Sequence, residues 1–231
     1  MNLALIFAGG TGTRMNSKTK PKQFLELNGK PIIIHTIELF ESHPEIDAIA
    51  VVCLESWIGY LNELLERFRI KKVKYVVPGG ETGQQSIRNG LTAFWDDQDI
   101  PRDSLVLIHD GVRPLINEDI ITRSIECAKQ YGNAITVTPA IETIITVSED
   151  DSVDQIMDRS KCRMARAPQT FRLCDIVEAH NKAITDGALN MIDSAMLMSH
   201  YGATLHVVEG PVENIKITTP CLLYTSPSPR D

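Results

Sequence analysis

Three glycines and a cation are spaced closely in Gly9-Gly10-Thr11-Gly12-Thr13-Arg14, and a second cation follows within Pro21-Lys22-Gln23. Glycine lets a backbone take positive φ and lets amide N–H groups come close to a ligand. Such amides, a helix N-terminus and two cations make a site for a polyphosphate. The run before them, Leu3-Ala4-Leu5-Ile6-Phe7-Ala8, is short and apolar, as a buried parallel strand is.

Other strings carry the same kind of chemistry. Gly79-Gly80-Glu81 is followed by Ser86, and His109-Asp110-Gly111-Val112-Arg113-Pro114 joins a carboxylate to a cation. Lys216 stands in Asn214-Ile215-Lys216, and Arg159, Lys161, Arg163 and Arg166 make one stretch locally basic. No serine or cysteine nucleophile is set beside a base. A reaction whose nucleophile is a phosphate oxygen needs neither, because that oxygen is already ionised near neutral pH. What two meeting polyanions need is positioning and neutralising charge, and Arg14, Lys22, Arg113, Arg159 and Lys216 offer it.

Composition sets the frame for this chemistry. The chain has 231 residues, 43% of them hydrophobic, so a sizeable core is possible. The net charge of −7 argues against a nucleic-acid backbone as partner, so a local cation cluster must hold any anionic ligand. No apolar run reaches membrane-spanning length, and glycines cut the N-terminal run too early for a signal peptide. Five cysteines without a C-x-x-C pair read as reduced thiols in a cytoplasmic protein. The six histidines have no metal-binding spacing, so no protein-held metal site is expected.

The elements that must position these residues alternate. Strands are expected at the N-terminus, Ile46–Leu54, Val73–Val77, Leu105–Ile108, Ala134–Val137 and Leu205–Val208. Helices are expected from Pro31 to His43, over Trp57–Phe68, Ser86–Trp95, Asp119–Tyr131 and Phe171–Thr185, and from Met191 through Met198. Strands alternating with helices mean an α/β, doubly wound, mostly parallel Rossmann-like sheet. Ligands of such sheets sit beyond the carboxyl ends of the strands, and Gly9, Gly79 and Gly111 all fall at that edge. Between Pro139 and Gln169 the pattern changes to alternation around a Glu149-Asp150-Asp151-Ser152 turn, which reads as a projecting hairpin arm. Glu213–Thr218 reads as a further strand. Residues 1–220 read as one domain, and 221–231, which two prolines deny a helix, as an atypical tail of residues unrelated to what precedes it.

Which nucleotide loop the glycines form narrows the field. No Walker string occurs. Gly10 and Gly12 fit a dinucleotide fingerprint, but Met15 stands where its third glycine serves close packing, which counts against an NAD-binding domain. Gly-Gly-x-Gly-x-Arg with Pro-Lys resembles nucleotidyltransferases acting on sugar and polyol phosphates. Pro-Lys-Gln with His-Asp-Gly-Val-Arg-Pro counts against a hexose 1-phosphate enzyme. It brings the resemblance to two sister families, the 2-C-methyl-D-erythritol 4-phosphate cytidylyltransferases and the D-ribitol 5-phosphate cytidylyltransferases.

The resemblance implies a cytidylyltransferase that uses CTP with Mg²⁺ and a polyol phosphate, and that forms a homodimer whose arm completes the partner's site. By it, Ala8, Gly9, Gly10, Thr11, Gly12 and Thr13 wrap the nucleotide, and Gly80, Glu81 and Ser86 read cytosine and ribose. Arg14, Lys22 and Lys216 act on the reacting phosphates. Asp110 and Arg113 lie at the junction of the substrates, Thr143 and Arg159 reach the neighbour's substrate phosphate, and Asp193 faces the polyol. Glu81 stands where the methylerythritol family has Asp. Ala167 and Ile192 stand where that family has threonines, so two hydroxyls are missing and Ile192 adds bulk where a branching methyl would sit. The acceptor is D-ribitol 5-phosphate, which these departures favour, or 2-C-methyl-D-erythritol 4-phosphate.

Overall fold

In the computed structural model, which describes residues 1–9 and 20–218, the N-terminal apolar run is strand β1 (Asn2–Ala8). A two-stranded ribbon, β2 (Glu26–Leu27) and β3 (Lys30–Pro31), leads into α1 (Ile32–Ser42). Strands and helices then alternate as β4 (Ala48–Cys53), α2 (Ile58–Arg67), β5 (Val73–Pro78), α3 (Gly83–Asp96), β6 (Leu105–Asp110), α4 (Glu118–Tyr131) and β7 (Asn133–Pro139). After them come β8 (Ile145–Val147), β9 (Val153–Ile156), β10 (Arg163–Arg172), α5 (Leu173–Asp186), α6 (Ser194–His200) and β11 (Val207–Glu209).

Seven strands form one sheet in the order β11-β7-β10-β6-β1-β4-β5. All are parallel to one another except β10, which runs antiparallel to both its neighbours. Both faces of β1 are buried, as a central parallel strand requires. Ala4, Ile6 and Ala8 pack with α1, α2 and α4, while Leu3 and Leu5 pack with α3, α5 and α6. This is the doubly wound α/β arrangement expected from the alternation. The helices start on side chains suited to it: Thr82, Asn117 and Asp193 accept hydrogen bonds from backbone N–H groups of α3, α4 and α6.

The edge of the sheet is as the glycines suggested. Gly79 N–H donates to Cys53 O at 2.8 Å, and Gly111 N–H donates to Phe7 O at 3.0 Å. A Cβ on Gly79 would lie 3.2 Å from Gly9 Cα, so the ends of β1 and β5 meet backbone to backbone.

Three expectations need correction. Residues 163–169, read as part of the arm, belong to the central sheet as β10, and Phe171 lies within that strand, which runs to Arg172, instead of starting a helix. The local alternation of this segment gave no direction, and only its pairing with β6 and β7 sets it antiparallel. The projecting arm is therefore the stretch from Ala140 to Cys162, with β8 and β9 paired and solvent-exposed. Glu213–Thr218 is not a strand: side chains and single backbone contacts hold it, among them Ile217 N–H to Val112 O at 3.0 Å. The tail 221–231 lies outside the described residues. Among the described residues no helix is long and apolar enough to cross a membrane.

Candidate active site

Two clefts open along the carboxyl edge of the sheet. The first, of about 500 Å³, is lined by Ala8 and Gly9 of β1, by Lys22, and by Gly80, Glu81 and Ser86 around the start of α3. Ser86 Oγ accepts from Gly80 N–H at 3.0 Å and donates to Thr82 O at 2.9 Å, which fixes the turn between β5 and α3. A Cβ on Gly9 would stand 3.1 Å from that hydroxyl, so glycine allows the close approach. Lys22 opens a short 3-10 turn whose next residue, the buried Gln23, donates from Nε2 to Ala8 O at 2.7 Å. That bond ties the Pro-Lys-Gln string to the end of β1 and sets Lys22 at the cleft.

The second cleft, of about 340 Å³, lies between β6, the middle of β10 and the start of α6. Arg113, Arg166, Ala167, Gln169, Ile192 and Asp193 help line it. The two clefts share Phe7, Gly83, Asp110 and Lys216. At this junction Asp110, 6% exposed, takes Arg113 Nε at 2.7 Å on one oxygen and Lys216 Nζ at 2.5 Å on the other. Burial alone would raise the Asp110 carboxyl; the charges of Lys216 and Arg113 outweigh it and hold the group below the usual carboxylate range.

The loop that carries Lys216 is anchored by Asn214. Its backbone carbonyl accepts from Arg113 Nη1 at 2.9 Å, and its fully buried side-chain amide donates to Ala167 O at 2.5 Å. Asp193 is held at both oxygens: Oδ1 accepts from Met196 N–H at 2.8 Å and Oδ2 from Gln169 Nε2 at 2.9 Å. Gln169 Oε1 in turn accepts from Ala195 N–H at 2.9 Å. His180 also lines the second cleft; it is buried and its Nε2 has no hydrogen-bond partner among the described residues.

Of the residues singled out from the sequence, Ala8, Gly9, Lys22, Gly80, Glu81 and Ser86 line the first cleft, Arg113 and Asp193 the second, and Asp110 and Lys216 both. Gly10, Thr11, Gly12, Thr13 and Arg14 lie outside the described residues. Thr143 and Arg159 line neither cleft; both are exposed on the arm, where Arg159 Nη1 donates to Ile141 O at 3.0 Å. The bulk inferred for Ile192 is at the cleft rim and not in its depth, since the side chain is 88% exposed. Gln23, Arg166, Gln169, His180 and Asn214 were not assigned to the site from the sequence. Gln23 and Asn214 adjoin Lys22 and Lys216 in the strings that pointed there, and Arg166 belongs to the basic run 159–166, whereas nothing local marks Gln169 and His180.

No group of three or more His, Cys, Asp or Glu residues poised for a metal exists among the described residues. The first cleft does offer the carboxylates Glu81 and Asp110. Mg²⁺ takes one or two carboxylates when substrate phosphates and water supply the rest, so this donor set fits an ion that arrives on a triphosphate.

A family model described as IspD, 2-C-methyl-D-erythritol 4-phosphate cytidylyltransferase, matches residues 2–226. The chain is 56% identical over 220 residues to a protein of Vibrio parahaemolyticus serotype O3:K6 named ribitol-5-phosphate cytidylyltransferase, covering 95% of this chain and 92% of that one. It is 39% identical over 227 residues to a 2-C-methyl-D-erythritol 4-phosphate cytidylyltransferase of Clostridium acetobutylicum, covering 98% and 96%. The crystal structure of 4-diphosphocytidyl-2C-methyl-D-erythritol synthase from Anaerococcus prevotii superposes with a TM-score of 0.83 at 25% identity, covering 97% of this chain and 93% of that one.

Proposed function

Since the chain belongs to the 2-C-methyl-D-erythritol 4-phosphate cytidylyltransferase family, we propose that it transfers the cytidylyl group of CTP to D-ribitol 5-phosphate. The observation that carries the transfer is the meeting of two clefts at Asp110 and Lys216. CTP takes the first cleft and the polyol phosphate the second. A phosphate oxygen of the acceptor attacks the α-phosphorus in line, the new O–P bond forms, and the bond to the β-phosphate oxygen breaks to release pyrophosphate.

The chain's own part is positioning and charge. Lys22 and Lys216, which line the first cleft, act on the phosphates there, and the sequence motif assigns Arg14 to the same task. Gly9, Gly80 and Ser86 shape the nucleotide cleft, and the motif assigns Gly10, Thr11, Gly12 and Thr13 to the nucleotide as well. Asp110 keeps Lys216 and Arg113 in place while neutralising part of their mutual repulsion. Glu81 and Asp110 would hold a Mg²⁺ ion carried in by the triphosphate, and that ion would supply further neutralisation of negative charge. The aliphatic side chains Ile141 and Ile156, 68% and 67% exposed on the arm, support a homodimer in which the arm of one protomer, with Thr143 and Arg159, covers the site of its partner. The free thiols of Cys53, Cys127, Cys162 and Cys174 among the described residues support a cytoplasmic enzyme.

The ribitol acceptor is supported by the 56% identity to the Vibrio protein and by the buried Ala167, which offers the cleft no hydroxyl; Ile192, at the rim, adds none either. A hydroxyl left without its partner costs about 1–3 kcal/mol, or about tenfold or more in kcat/KM. The test is a pyrophosphate-release assay that crosses four nucleoside triphosphates with D-ribitol 5-phosphate and 2-C-methyl-D-erythritol 4-phosphate, then competes the two acceptors at equal concentration with CTP. CDP-ribitol as the main product is expected. Mainly CDP-methylerythritol would reverse the acceptor and leave the cytidylyl transfer standing; release with another nucleotide but not with CTP would overturn the proposal.

A further inference from the structure

Arg166 stands where the pairing of β10 with β7 is interrupted. Ala165 pairs with Val137 and Gln169 with Ile135, so Arg166, Ala167 and Pro168 stand opposite Thr136 alone. An irregularity of this kind bends a strand and re-aims its side chains. Here Arg166 lines the second cleft, half-buried. Its Nε–H donates to Thr138 Oγ1 at 3.3 Å, which ties the stem to a fully buried residue of β7.

The charges of this cleft do not balance. Arg113, Arg166 and Lys216 line it against Asp110 and Asp193. Both carboxylates are committed, Asp110 to Arg113 and Lys216, Asp193 to the start of α6 and to Gln169. Arg166 makes no ion pair among the described residues. Burial, and after it the charge of Arg113, hold its pKa below the ordinary arginine value. Two guanidiniums in one concave, partly desolvated space repel unless an anion lies between them.

We propose that Arg166 binds the phosphate of the acceptor, a monoester dianion, from the wall of the second cleft beside Arg113. This rests on the transferase reading above. Neither Arg166 nor Arg113 lines the first cleft, so the anion they share is the acceptor's and not the triphosphate. The guanidinium's free N–H groups form a fork that matches two phosphate oxygens, which a point charge does not. Arg166 is then a specificity-determining residue: it selects acceptors whose phosphate lies at the distance from the polyol that this wall sets.

The experiment compares wild type, Arg166→Gln and Arg166→Lys by initial rates of pyrophosphate release and by calorimetric titration with D-ribitol 5-phosphate. In Arg166→Gln the acceptor KM and dissociation constant are expected to rise about 10- to 100-fold, with the CTP KM changed less than about threefold. Arg166→Lys, which keeps the stem and the charge, is expected to fall between and serves if the glutamine variant unfolds. An unchanged acceptor KM in both variants overturns the proposal, as do equal rises in the acceptor and CTP KM. A wild type that neither binds nor uses either polyol phosphate sinks the transferase reading itself, and this proposal with it.

Discussion

Lys216 Nζ lies 2.5 Å from Asp110 Oδ1, and each of the two residues lines both clefts. The carboxylate stands between two cations, since its other oxygen takes Arg113 at 2.7 Å. A pair so placed holds positive charge where the two clefts join, without leaving that charge unpaired.

Replacing Asp110 by Asn removes the carboxylate and leaves Arg113 and Lys216 facing each other. Breaking a buried pair from one side costs about 3–5 kcal/mol, so a clear loss of stability in urea unfolding at pH 7 is expected, together with a fall in kcat. The Asp110 pKa is lowered on folding. Its contribution is therefore fully present above the unfolded carboxylate pKa of about 3.9 and lost as pH falls through the lower folded value. The stability gap between wild type and Asp110→Asn should hold from pH 8 to about 5 and narrow only below about 4.

Lys22→Ala is expected to lower kcat by about 10²–10³ while changing the CTP KM little, because charge builds on the reacting phosphates in the transition state. Arg14→Ala should behave alike. Steady-state rates over a CTP series check it; an effect confined to KM would make these residues ground-state binders only.

If the arm completes the partner's site, two defective chains should complement each other. Mixing Arg159→Ala with Lys22→Ala should restore part of the activity, since one site of a mixed dimer then has both residues. Mixed dimers that form by mass spectrometry yet stay as inactive as either parent would rule the shared site out.

Two buried histidines predict an acid limb of stability. Burial pushes the pKa of His109 and of His180 down to about 4. Unfolded, each titrates near 6.5. Between these values the unfolded chain binds more protons, so stability is full above about pH 6.5 and falls as pH drops towards 4, by up to about 1.4 kcal/mol per unit and histidine. Urea unfolding from pH 7.5 to 4.5 should show this slope, and His180→Leu should flatten it.

Much of the fold was legible because its signals are local. The apolar run of β1, the β-branched run of β4 and the helical spacing of α1 and α2 each declare an element by period alone, and the glycines at residues 9, 79 and 111 mark where strands end. Strand β10 was less legible, since its residues read as a returning arm followed by a helix. Asp110, Arg113 and Lys216 were legible as chemistry, but nothing in either string says that they touch.

The order of residues by itself determined the alternation of strands and helices, and with it the edge on which ligand loops gather, because burial of an apolar face repeats with the period of the element. Tertiary structure alone decided that β10 inserts antiparallel between β6 and β7 and that Asp110 bridges Arg113 and Lys216. It also decided that Arg166, one of four basic residues in a run, turns from the arm into the second cleft. The pairings of β10 and the contact of Asp110 with Lys216 join residues far apart in the chain, and the strand pairings depend on register, which no local period encodes.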